Sequence, residues 1–547
     1  MSLLTVIKKH PLDSLILALS FLFSYFLMSH TFSYENGNML VAGKAWSDFG
    51  SHIPLVRSFS LGWNFPVAYP LFSGEPIHYH FLFYLFVGLL EKIGIPIDYA
   101  LNIPSALGFS ALLYLLYLFA SKLFKSKATG ILTIFLFLFN GSLSFIYFLN
   151  SHPLSGKFID EVVKNNTFPS FAPYREGLIT AFWNLNIYTN QRHLAAAFAF
   201  SLFVIYFFLK PIFKNEKGQS ISLTVFLGIL LGCSYYFHVA VFLMTVIVII
   251  ILSILFPKVR ATGIILLICA GIVSYPQYIY MNSTAQAFKT VFRPGYLIFD
   301  QLSFPSFLRY WFMNLGLHSI LMFLGFIVAR GTVKKIFLAF FVLFIIGNLF
   351  QFSPEMAANH KFFNYFMLSG IMFSAYFLVF MWRSNFILRP LVIILFFFLT
   401  FSGVIDLFPI LNDAKIRLAD YPNNPDVTWI MKNTDPSSIF LNTSYLYSPE
   451  SLAGRKIFFG WPYFAWSAGH NTDRRGKMRT AIFTATSKEI ACILLRKNNL
   501  SYIEISNSEL TNPDQPKISN LFSKNFTLEY KSNTIEIYNV RKSCKNT

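Results

Sequence analysis

Long apolar runs alternate with short polar connections along most of the first 410 residues. A run of about 20 apolar residues crosses a hydrocarbon core as a helix, because a helix satisfies its own backbone hydrogen bonds where water is absent. Such runs lie near residues 12–32, 100–121, 128–149, 193–213, 261–281, 306–329, 334–351, 362–382 and 390–408. The stretch Leu223–Phe256 is too long for one crossing and carries polar residues from Ser234 to His238, so two helices are predicted there. The run His80–Leu90 is too short to decide.

The distribution of charge turns these runs into a predicted topology. Lysine and arginine outnumber aspartate and glutamate by 44 to 25, a formal net charge of +19, although only 13% of the residues are charged. The basic residues cluster in connections such as Lys122–Lys127, Arg330–Lys335 and Arg383–Arg389, which is typical of cytoplasmic loops and not of a nucleic-acid-binding surface. All basic clusters lie inside when the number of crossings is odd. About 11 to 13 helices are predicted, eleven if residues 78–94 do not span, in a plasma-membrane protein with a cytoplasmic N-terminus.

The polar stretches on the other, outer side are long, which is where function is usually carried. The predicted fold class is a polytopic α-helical membrane domain over residues 1–410, with outer loops at 33–78 and 150–192, followed by a small extracytoplasmic α/β domain at 411–547. In that domain, strands are predicted near 438–441, 456–459, 500–505, 527–530 and 534–540, and helices near 426–432 and 487–497. Cys492 and Cys544 are expected to stay unpaired unless the outer compartment is oxidising and the fold brings them together.

The residues with candidate chemistry lie in the outer loops. The sequence contains no phosphate-binding glycine loop, zinc-type histidine spacing or Ser-His-Asp elbow. In the segment from Trp46 to Arg57, Asp48, His52 and Arg57 stand four and five residues apart, so they share one face if the segment is helical. A carboxylate in this position can act as a general base. The segment Ser73-Gly74-Glu75-Pro76-Ile77-His78-Tyr79-His80 then leads directly into an apolar run.

This layout resembles the GT-C superfamily of membrane glycosyltransferases, in which an acidic residue in the first outer loop engages the acceptor or a metal. The resemblance covers most of the chain, including the outer C-terminal domain. The sequence departs from the paired-acid form of the family, because no acid neighbours Asp48, and this leaves the metal requirement open; Mg²⁺ and Mn²⁺ are the candidates. It also lacks the Trp-Trp-Asp sequence expected of oligosaccharyltransferases, so transfer of a whole glycan to asparagine is not expected.

The resemblance implies transfer of a sugar, with inversion, from a polyprenyl-phosphate donor to an acceptor hydroxyl on the outer side. The acceptor must lose a proton, and the leaving phosphate needs fixed cations or a metal. The candidates are Asp48 as the base with His52 and Glu75 beside it, Lys361, Arg192 and Arg57 for the donor phosphate, and His78, His80, His238, Trp461 and Trp466 for the acceptor or sugar. The partners expected are the lipid-linked sugar and the bilayer; the sequence leaves the oligomeric state open.

Other interpretations remain open from the sequence. Lys361 and Arg192 are equally well explained as interfacial anchors of helix ends, and Trp461 and Trp466 as residues that dock the outer domain on the bilayer. His78 and His80 lack an obvious third metal ligand, and His238 is equally explained by a hydrogen bond to a neighbouring tyrosine. At the level of function, the alternatives are a transporter or flippase of lipid-linked sugars, a surface-polysaccharide polymerase or ligase, and a non-catalytic scaffold.

Overall fold

The computed structural model describes residues 10–169, 178–215, 218–283, 289–509 and 517–545. The part of the second outer loop at residues 170–177 lies outside this description. Most of the described chain is helical up to residue 411, and a mixed sheet follows.

The helical part begins with α1 and carries two short strands in its first outer loop. Its elements are α1 (Pro11–Thr31), β1 (Phe32–Glu35), β2 (Asn38–Ala42), α2 (Trp46–Ser60), α3 (Leu82–Lys92), α4 (Ile97–Phe124), α5 (Lys127–Leu138), α6 (Phe145–Ser151), α7 (Phe158–Val163), α8 (Asn186–Asn190), α9 (Arg192–Phe208), α10 (Lys210–Lys214), α11 (Ile221–Phe237), α12 (Val239–Leu255), α13 (Arg260–Asn282), β3 (Val291–Phe292), α14 (Phe304–Leu315), α15 (His318–Val328), α16 (Gly331–Leu349), β4 (Phe350–Gln351), α17 (His360–Ser384) and α18 (Arg389–Leu411).

Several of these helices suit a bilayer. Among the described residues, six helices are long and apolar enough to cross a membrane, or seven if α14 and α15 count as one bent span. Four further apolar helices, α5, α9, α11 and α12, are shorter, with 10 to 17 residues. The predicted division of Leu223–Phe256 is confirmed, since α11 ends at Phe237 and α12 starts at Val239, with extended backbone at His238 between them.

Three predicted single helices are interrupted in the structure. The run 128–149 breaks between α5 and α6, where polar residues from Asn140 to Ser144 stop the apolar pattern. The run 193–213 divides at Leu209, just before Pro211. The run 306–329 becomes α14 and α15, which meet at 91°. Gly316 lies at this bend with φ +55°, a backbone conformation that glycine adopts without the steric cost of a side chain.

The C-terminal part adds a five-stranded sheet and several short helices. Its elements are β5 (Lys415–Ala419), α19 (Pro425–Asn433), β6 (Ile439–Leu441), α20 (Pro449–Leu452), β7 (Lys456–Ile457), α21 (Pro462–Ser467), α22 (Thr472–Phe483), α23 (Lys488–Lys497), β8 (Tyr502–Ser506), α24 (Leu521–Asn525), β9 (Thr527–Lys531), β10 (Ile535–Asn539) and α25 (Val540–Ser543). The sheet order is β7-β6-β8-β10-β9, with the first three strands parallel and the last three antiparallel. The predicted strands and the two predicted helices are all found, within a few residues. Cys492 and Cys544 form a disulfide with Cα atoms 5.6 Å apart, so the expectation that they stay unpaired is wrong.

The C-terminal part does not have a core of its own. Its buried side chains, from Val427 to Cys544, belong to one apolar cluster with those of the first outer loop and the start of α4, from Phe32 to Leu101. A second sheet joins the same regions, because β5 pairs antiparallel with β2, which pairs with β1. The helices of the bundle form a separate large cluster. The segment that carries Asp48 is therefore packed between the bundle and the C-terminal part.

Candidate functional site

Asp48 lies in the first turn of α2, at the boundary between the two cores. The apolar residues of α2, including Phe49 and Ile53, are buried and fix the helix. The Asp48 side chain is half-buried, and its carboxylate forms no hydrogen bond or ion pair with any residue that the structure describes. Burial raises the pKa of Asp48 to about 6, and the positive charge of Lys361 opposes that rise. A carboxylate with this pKa is ionised near neutral pH and can accept a proton.

Lys361 lies in the first turn of α17, facing Asp48 from the bundle. Its side chain is half-buried, and within the described ranges its ammonium makes neither a hydrogen bond nor an ion pair. Its charge acts on Asp48 and also on His80, His193 and His238. Such a lysine is available to an anionic ligand, since no protein acceptor occupies its ammonium group.

Three histidines converge beside this pair and form what we call the histidine cluster: His80, His193 and His238. His80 precedes α3, His193 is the second residue of α9, and His238 separates α11 from α12. The Nε2 atoms of His80 and His193 are 2.5 Å apart, and the rings of His80 and His238 stack with centroids 4.3 Å apart. One ligand atom from each of the three side chains lies within 4.8 Å of the others, and all three side chains are buried. The cluster could hold a metal ion.

Two residues border the histidine cluster. The Tyr84 hydroxyl lies 2.6 Å from Nδ1 of His193, and the ring of Tyr84 stacks on His52 at 4.6 Å. Burial lowers the pKa of His52 to about 3, with a further contribution from the charge of Arg192, so His52 is neutral at working pH. Sequence reasoning missed Tyr84, because a tyrosine in an apolar helix carries no signal of a polar neighbour.

Arg192 is fully buried next to the cluster and is engaged by neutral groups. Its guanidinium donates to the carbonyls of Thr189 and Met28 (2.7 and 3.1 Å), to the Asn102 amide oxygen (3.1 Å) and to the Thr31 hydroxyl (2.8 Å). It also lies over the ring of Phe49, 5.2 Å from its centroid. These contacts tie α1, α4 and α9 together, and the guanidinium has no acidic partner among the residues that the structure describes.

Arg57 lies elsewhere. Its guanidinium forms ion pairs with Glu91 of α3 (2.9 Å) and with Asp420, which follows β5 (2.6 Å), and all three side chains are at most 10% exposed. It also donates to the Leu452 carbonyl at 3.2 Å. Two carboxylates already neutralise Arg57, so in this structure it joins the first outer loop to the C-terminal part and is not available to a donor phosphate. Sequence spacing placed it with Asp48 because its partners are distant in the chain.

Glu75, His78 and His470 form a second group, here called the Glu75 cluster, where the first outer loop meets the C-terminal part. Glu75 accepts a hydrogen bond from Nδ1 of His470 at 3.0 Å and pairs with Arg475 at 3.4 Å. The rings of His78 and His470 stack 4.0 Å apart. The hydrogen bond from His470, together with the charges of His470 and Arg475, lowers the pKa of Glu75, whereas burial lowers that of His78 to about 4.

The two predicted sugar-binding tryptophans lie at the surface near this second group. Trp461 is 43% exposed and Trp466 is 40% exposed, one before and one within α21. The structure thus brings Asp48, His52, His80, His238, Arg192 and Lys361 together, and it places Glu75, His78, Trp461 and Trp466 at a separate location.

The two clusters offer different donor sets to a metal. Both are groups of three residues whose ligand atoms lie within 4.8 Å of one another. Mg²⁺ prefers octahedral oxygen ligands, and Mn²⁺ also suits carboxylate and water. Next to Asp48 the structure offers one carboxylate and three imidazoles. This donor set fits an ion that binds nitrogen better than it fits Mg²⁺ or Mn²⁺.

Comparison with known proteins places the fold. No protein-family model matches the sequence, and no curated protein matches it by sequence. Solved structures of the oligosaccharyltransferase of Archaeoglobus fulgidus are similar to the chain at 12% identity. The apo form gives a TM-score of 0.53 and the complex of AglB with an inhibitory peptide and a dolichol-phosphate 0.51, each covering 91% of this chain and 70% of that chain. The form tethered to an acceptor peptide containing the NVT sequon gives 0.50, with 92% and 70% covered. The chain therefore has a fold similar to that of the solved oligosaccharyltransferase structures.

Proposed function

We propose that this protein is a membrane glycosyltransferase that transfers a sugar from a polyprenyl-phosphate donor to an acceptor hydroxyl on the extracytoplasmic side, with inversion. One observation carries the proposal. Asp48 and Lys361 face each other within a fold similar to that of AglB, and neither has a bonded partner among the described residues. An unbonded base beside an unbonded cation is what the reaction requires.

In the proposed reaction, Asp48 takes the proton from the acceptor hydroxyl while the oxygen of that hydroxyl attacks the anomeric carbon of the donor sugar. The bond from that carbon to the phosphate oxygen breaks on the opposite face, so the configuration inverts. The leaving lipid phosphate carries the negative charge, and Lys361 is placed to stabilise it. Arg192 contributes its charge without direct contact, because neutral acceptors already surround its guanidinium. His80 and His238 lie within range of the Lys361 charge.

The orientation in the membrane is part of the proposal. Six long apolar helices, four shorter ones and the bent pair α14–α15 add up to eleven crossings if each spans. In that arrangement α3, which has only 11 residues, stays at the outer surface. An odd number places the N-terminus in the cytoplasm and Asp48 and the C-terminal domain outside, where a polyprenyl donor replaces nucleotide sugars. The complex of AglB with a dolichol-phosphate supports this donor class.

The test is transfer of labelled sugar from polyprenyl-linked donors by the purified protein and by Asp48→Asn. We expect the rate of the variant to be lower by a factor of about 10² to 10⁴, because the amide cannot accept the proton. Asp160→Asn is the matched control, since Asp160 is an exposed acid of the second outer loop that pairs with Lys164 at 2.9 Å. Equal activity of Asp48→Asn and the parent contradicts the assignment of the base.

The pH profile offers an independent check. Because the pKa of Asp48 is raised to about 6, the base is protonated below that pH, and kcat/KM should fall tenfold for each pH unit below about 6. A rate that is flat down to pH 4 argues against Asp48.

A second candidate, transfer to an asparagine of a peptide, is favoured by the similarity to AglB, one structure of which carries an acceptor peptide with the NVT sequon. The same assay with a sequon peptide distinguishes the two acceptors. Flipping of the lipid-linked sugar, and polymerisation or ligation of a polysaccharide, are separated by the product: flipping leaves the donor intact, and polymerisation makes chains of increasing length.

A further inference from the structure

The histidine cluster has the arrangement of a metal site and not only of a packed core. Its three side chains come from three separate segments, ahead of α3, at the start of α9 and between α11 and α12, and converge on one point. Every member is at least 93% buried. Burial disfavours the charged imidazolium, and the neutral imidazole is the form that binds metals.

The cluster also leaves a buried nitrogen unused. Nε2 of His238 has no hydrogen-bond partner among the described residues, although it is buried. A buried polar atom without a partner loses its hydration without gaining a bond, so such atoms call for an explanation. His193 has the opposite arrangement, because its Nδ1 contacts the Tyr84 hydroxyl at 2.6 Å while its Nε2 faces His80. A hydrogen bond at the far nitrogen is how proteins orient a metal-binding histidine.

We propose that His80, His193 and His238 bind a divalent transition-metal ion of the zinc class, and that its remaining coordination position faces Asp48 and Lys361. The open position takes an oxygen of the donor phosphate; this part of the proposal rests on the proposed function. Sites with three protein ligands and one open position are typical of catalytic zinc.

The choice of ion follows from the donor atoms. Imidazole suits zinc, copper, iron and nickel, whereas magnesium, calcium and manganese prefer oxygen donors. The cluster contributes three nitrogens and no oxygen. For this cluster the proposal therefore differs from the Mg²⁺ or Mn²⁺ named as candidates from the sequence.

The geometry needs only a small adjustment. In a tetrahedral site with metal–nitrogen distances near 2.0–2.1 Å, ligand nitrogens stand about 3.3 Å apart. The Nε2 atoms of His80 and His193 are 2.5 Å apart, and all three ligand atoms fall within 4.8 Å. Rotations of the rings that move these atoms by less than about 1 Å suffice. Nearby charges act in both senses, since Lys361 opposes a bound cation and Asp48 favours it.

The experiment uses the full-length protein in detergent, stripped with a chelator and titrated with Zn²⁺ against a chromophoric competitor. Co²⁺ in place of Zn²⁺ reports the geometry through its visible absorption. We expect one Zn²⁺ per chain, at least tenfold weaker binding in His193→Ala and His238→Ala, and no change in His318→Ala. His318 is the matched control, because it is a buried membrane histidine whose bonded partner is Ser374, outside the cluster. His470→Ala reports whether the Glu75 cluster binds instead.

Each outcome has a meaning. The site is supported if the single equivalent of Zn²⁺ is lost in His193→Ala and His238→Ala and kept in His318→Ala and His470→Ala. Equal affinity in the stripped parent and His193→Ala overturns it, as does loss of the equivalent in His470→Ala alone. Fluorescence-detected gel filtration of each variant identifies any that fails to fold, and His193→Gln then replaces His193→Ala. Because zinc binding is read without turnover, a protein that binds zinc but transfers no sugar refutes only the proposed function.

Discussion

The histidine cluster and the Glu75 cluster look alike as sets of potential metal ligands but differ in what surrounds them. In the Glu75 cluster the carboxylate is already bonded to His470 and Arg475, and Arg475 is fixed between the rings of Phe72 and Phe458, 4.0 and 4.5 Å from their centroids. Each cluster has a buried histidine nitrogen without a hydrogen-bond partner among the described residues, Nε2 of His470 in the first and Nε2 of His238 in the second, but the neighbouring cation of the histidine cluster, Lys361, is bonded to none of its three residues. Ligand type and proximity therefore do not identify a metal site; a resident cation that already neutralises the ligands closes it.

The largest effect is expected on removing Arg475, the cation of the Glu75 cluster. Without it, this cluster should bind a metal as the histidine cluster is proposed to do. In Arg475→Met, the carboxylate of Glu75 loses its cationic partner and keeps the hydrogen bond from His470, so Glu75, His78 and His470 become a donor set without a fixed cation, which is compatible with zinc. Zinc titration should then reveal a second equivalent, bound at least about a hundredfold more tightly than at this cluster in the parent. Arg474→Met, at the neighbouring position, should leave the stoichiometry at one. A single equivalent in both variants would refute the role given to Arg475.

The next effect concerns the residue that orients His193. Tyr84→Phe removes the hydroxyl that contacts Nδ1 while preserving the ring that stacks on His52. Losing such an outer partner typically weakens metal binding about 10- to 100-fold, and we expect about tenfold. Competition titration measures the zinc affinity, with Tyr114→Phe in α4 as the control, because Tyr114 neighbours Asp13 and Tyr206 and lies outside the histidine cluster. An unchanged zinc affinity would mean that packing alone orients His193.

The Glu75 cluster is expected to contribute to stability. Glu75→Gln loses charge-assisted bonds with His470 and Arg475, which we estimate at about 1 kcal/mol in this partly exposed position. The pKa of Glu75 is lowered in the folded protein, so its contribution is present above the unfolded value of about 4.3 and is lost as the pH falls below it. Thermal unfolding at pH 7 and at pH 4 should show a difference between parent and variant that shrinks at the lower pH. A difference that grows at pH 4 has the wrong sign for this account.

The smallest effect is expected on removing the charge of Lys361, the cation beside the histidine cluster. In Lys361→Met the charge that opposes a metal in the histidine cluster is removed, and zinc should bind about two- to fivefold more tightly, since the lysine acts through space and not through a bond. The same titration, repeated at high salt, checks the electrostatic origin. Weaker zinc binding in this variant would show that Lys361 supports the site by packing.

The sequence predicted features that depend on local pattern. The division at Ser234–His238 was visible because polar residues interrupt an apolar run, and the strands of the C-terminal sheet were visible because β-rich segments alternate with turn residues. Asp48 was identified because an acid in the first outer loop stands out against apolar neighbours.

Features that depend on distant partners were not predictable in the same way. Arg57 stands near Asp48 in the sequence, yet its side chain forms ion pairs with Glu91 and Asp420, which lie far from it in the chain. The bend at Gly316 was not predicted, because Asn314, Gly316 and His318 were taken as part of one apolar run from 306 to 329. The histidine cluster joins His80 to His193, 113 positions later, and to His238, 45 positions beyond that, and nothing in the sequence shows that the three side chains meet.

The pairing of β2 with β5 has a consequence for biosynthesis. The backbone of Gly43 bonds to Ala414, and Lys44 pairs with Asp413, so the segment leading into α2 is completed by residues made much later. At about 5 to 20 residues per second, the ribosome needs roughly 20 to 75 seconds to travel from the first strand partner to the second. During this interval the edge of β2 is unpaired and Arg57 lacks Asp420. A nascent chain shorter than about 420 residues thus carries Asp48 on an unfinished surface, and the candidate site is assembled only after residues 413–420 have been made.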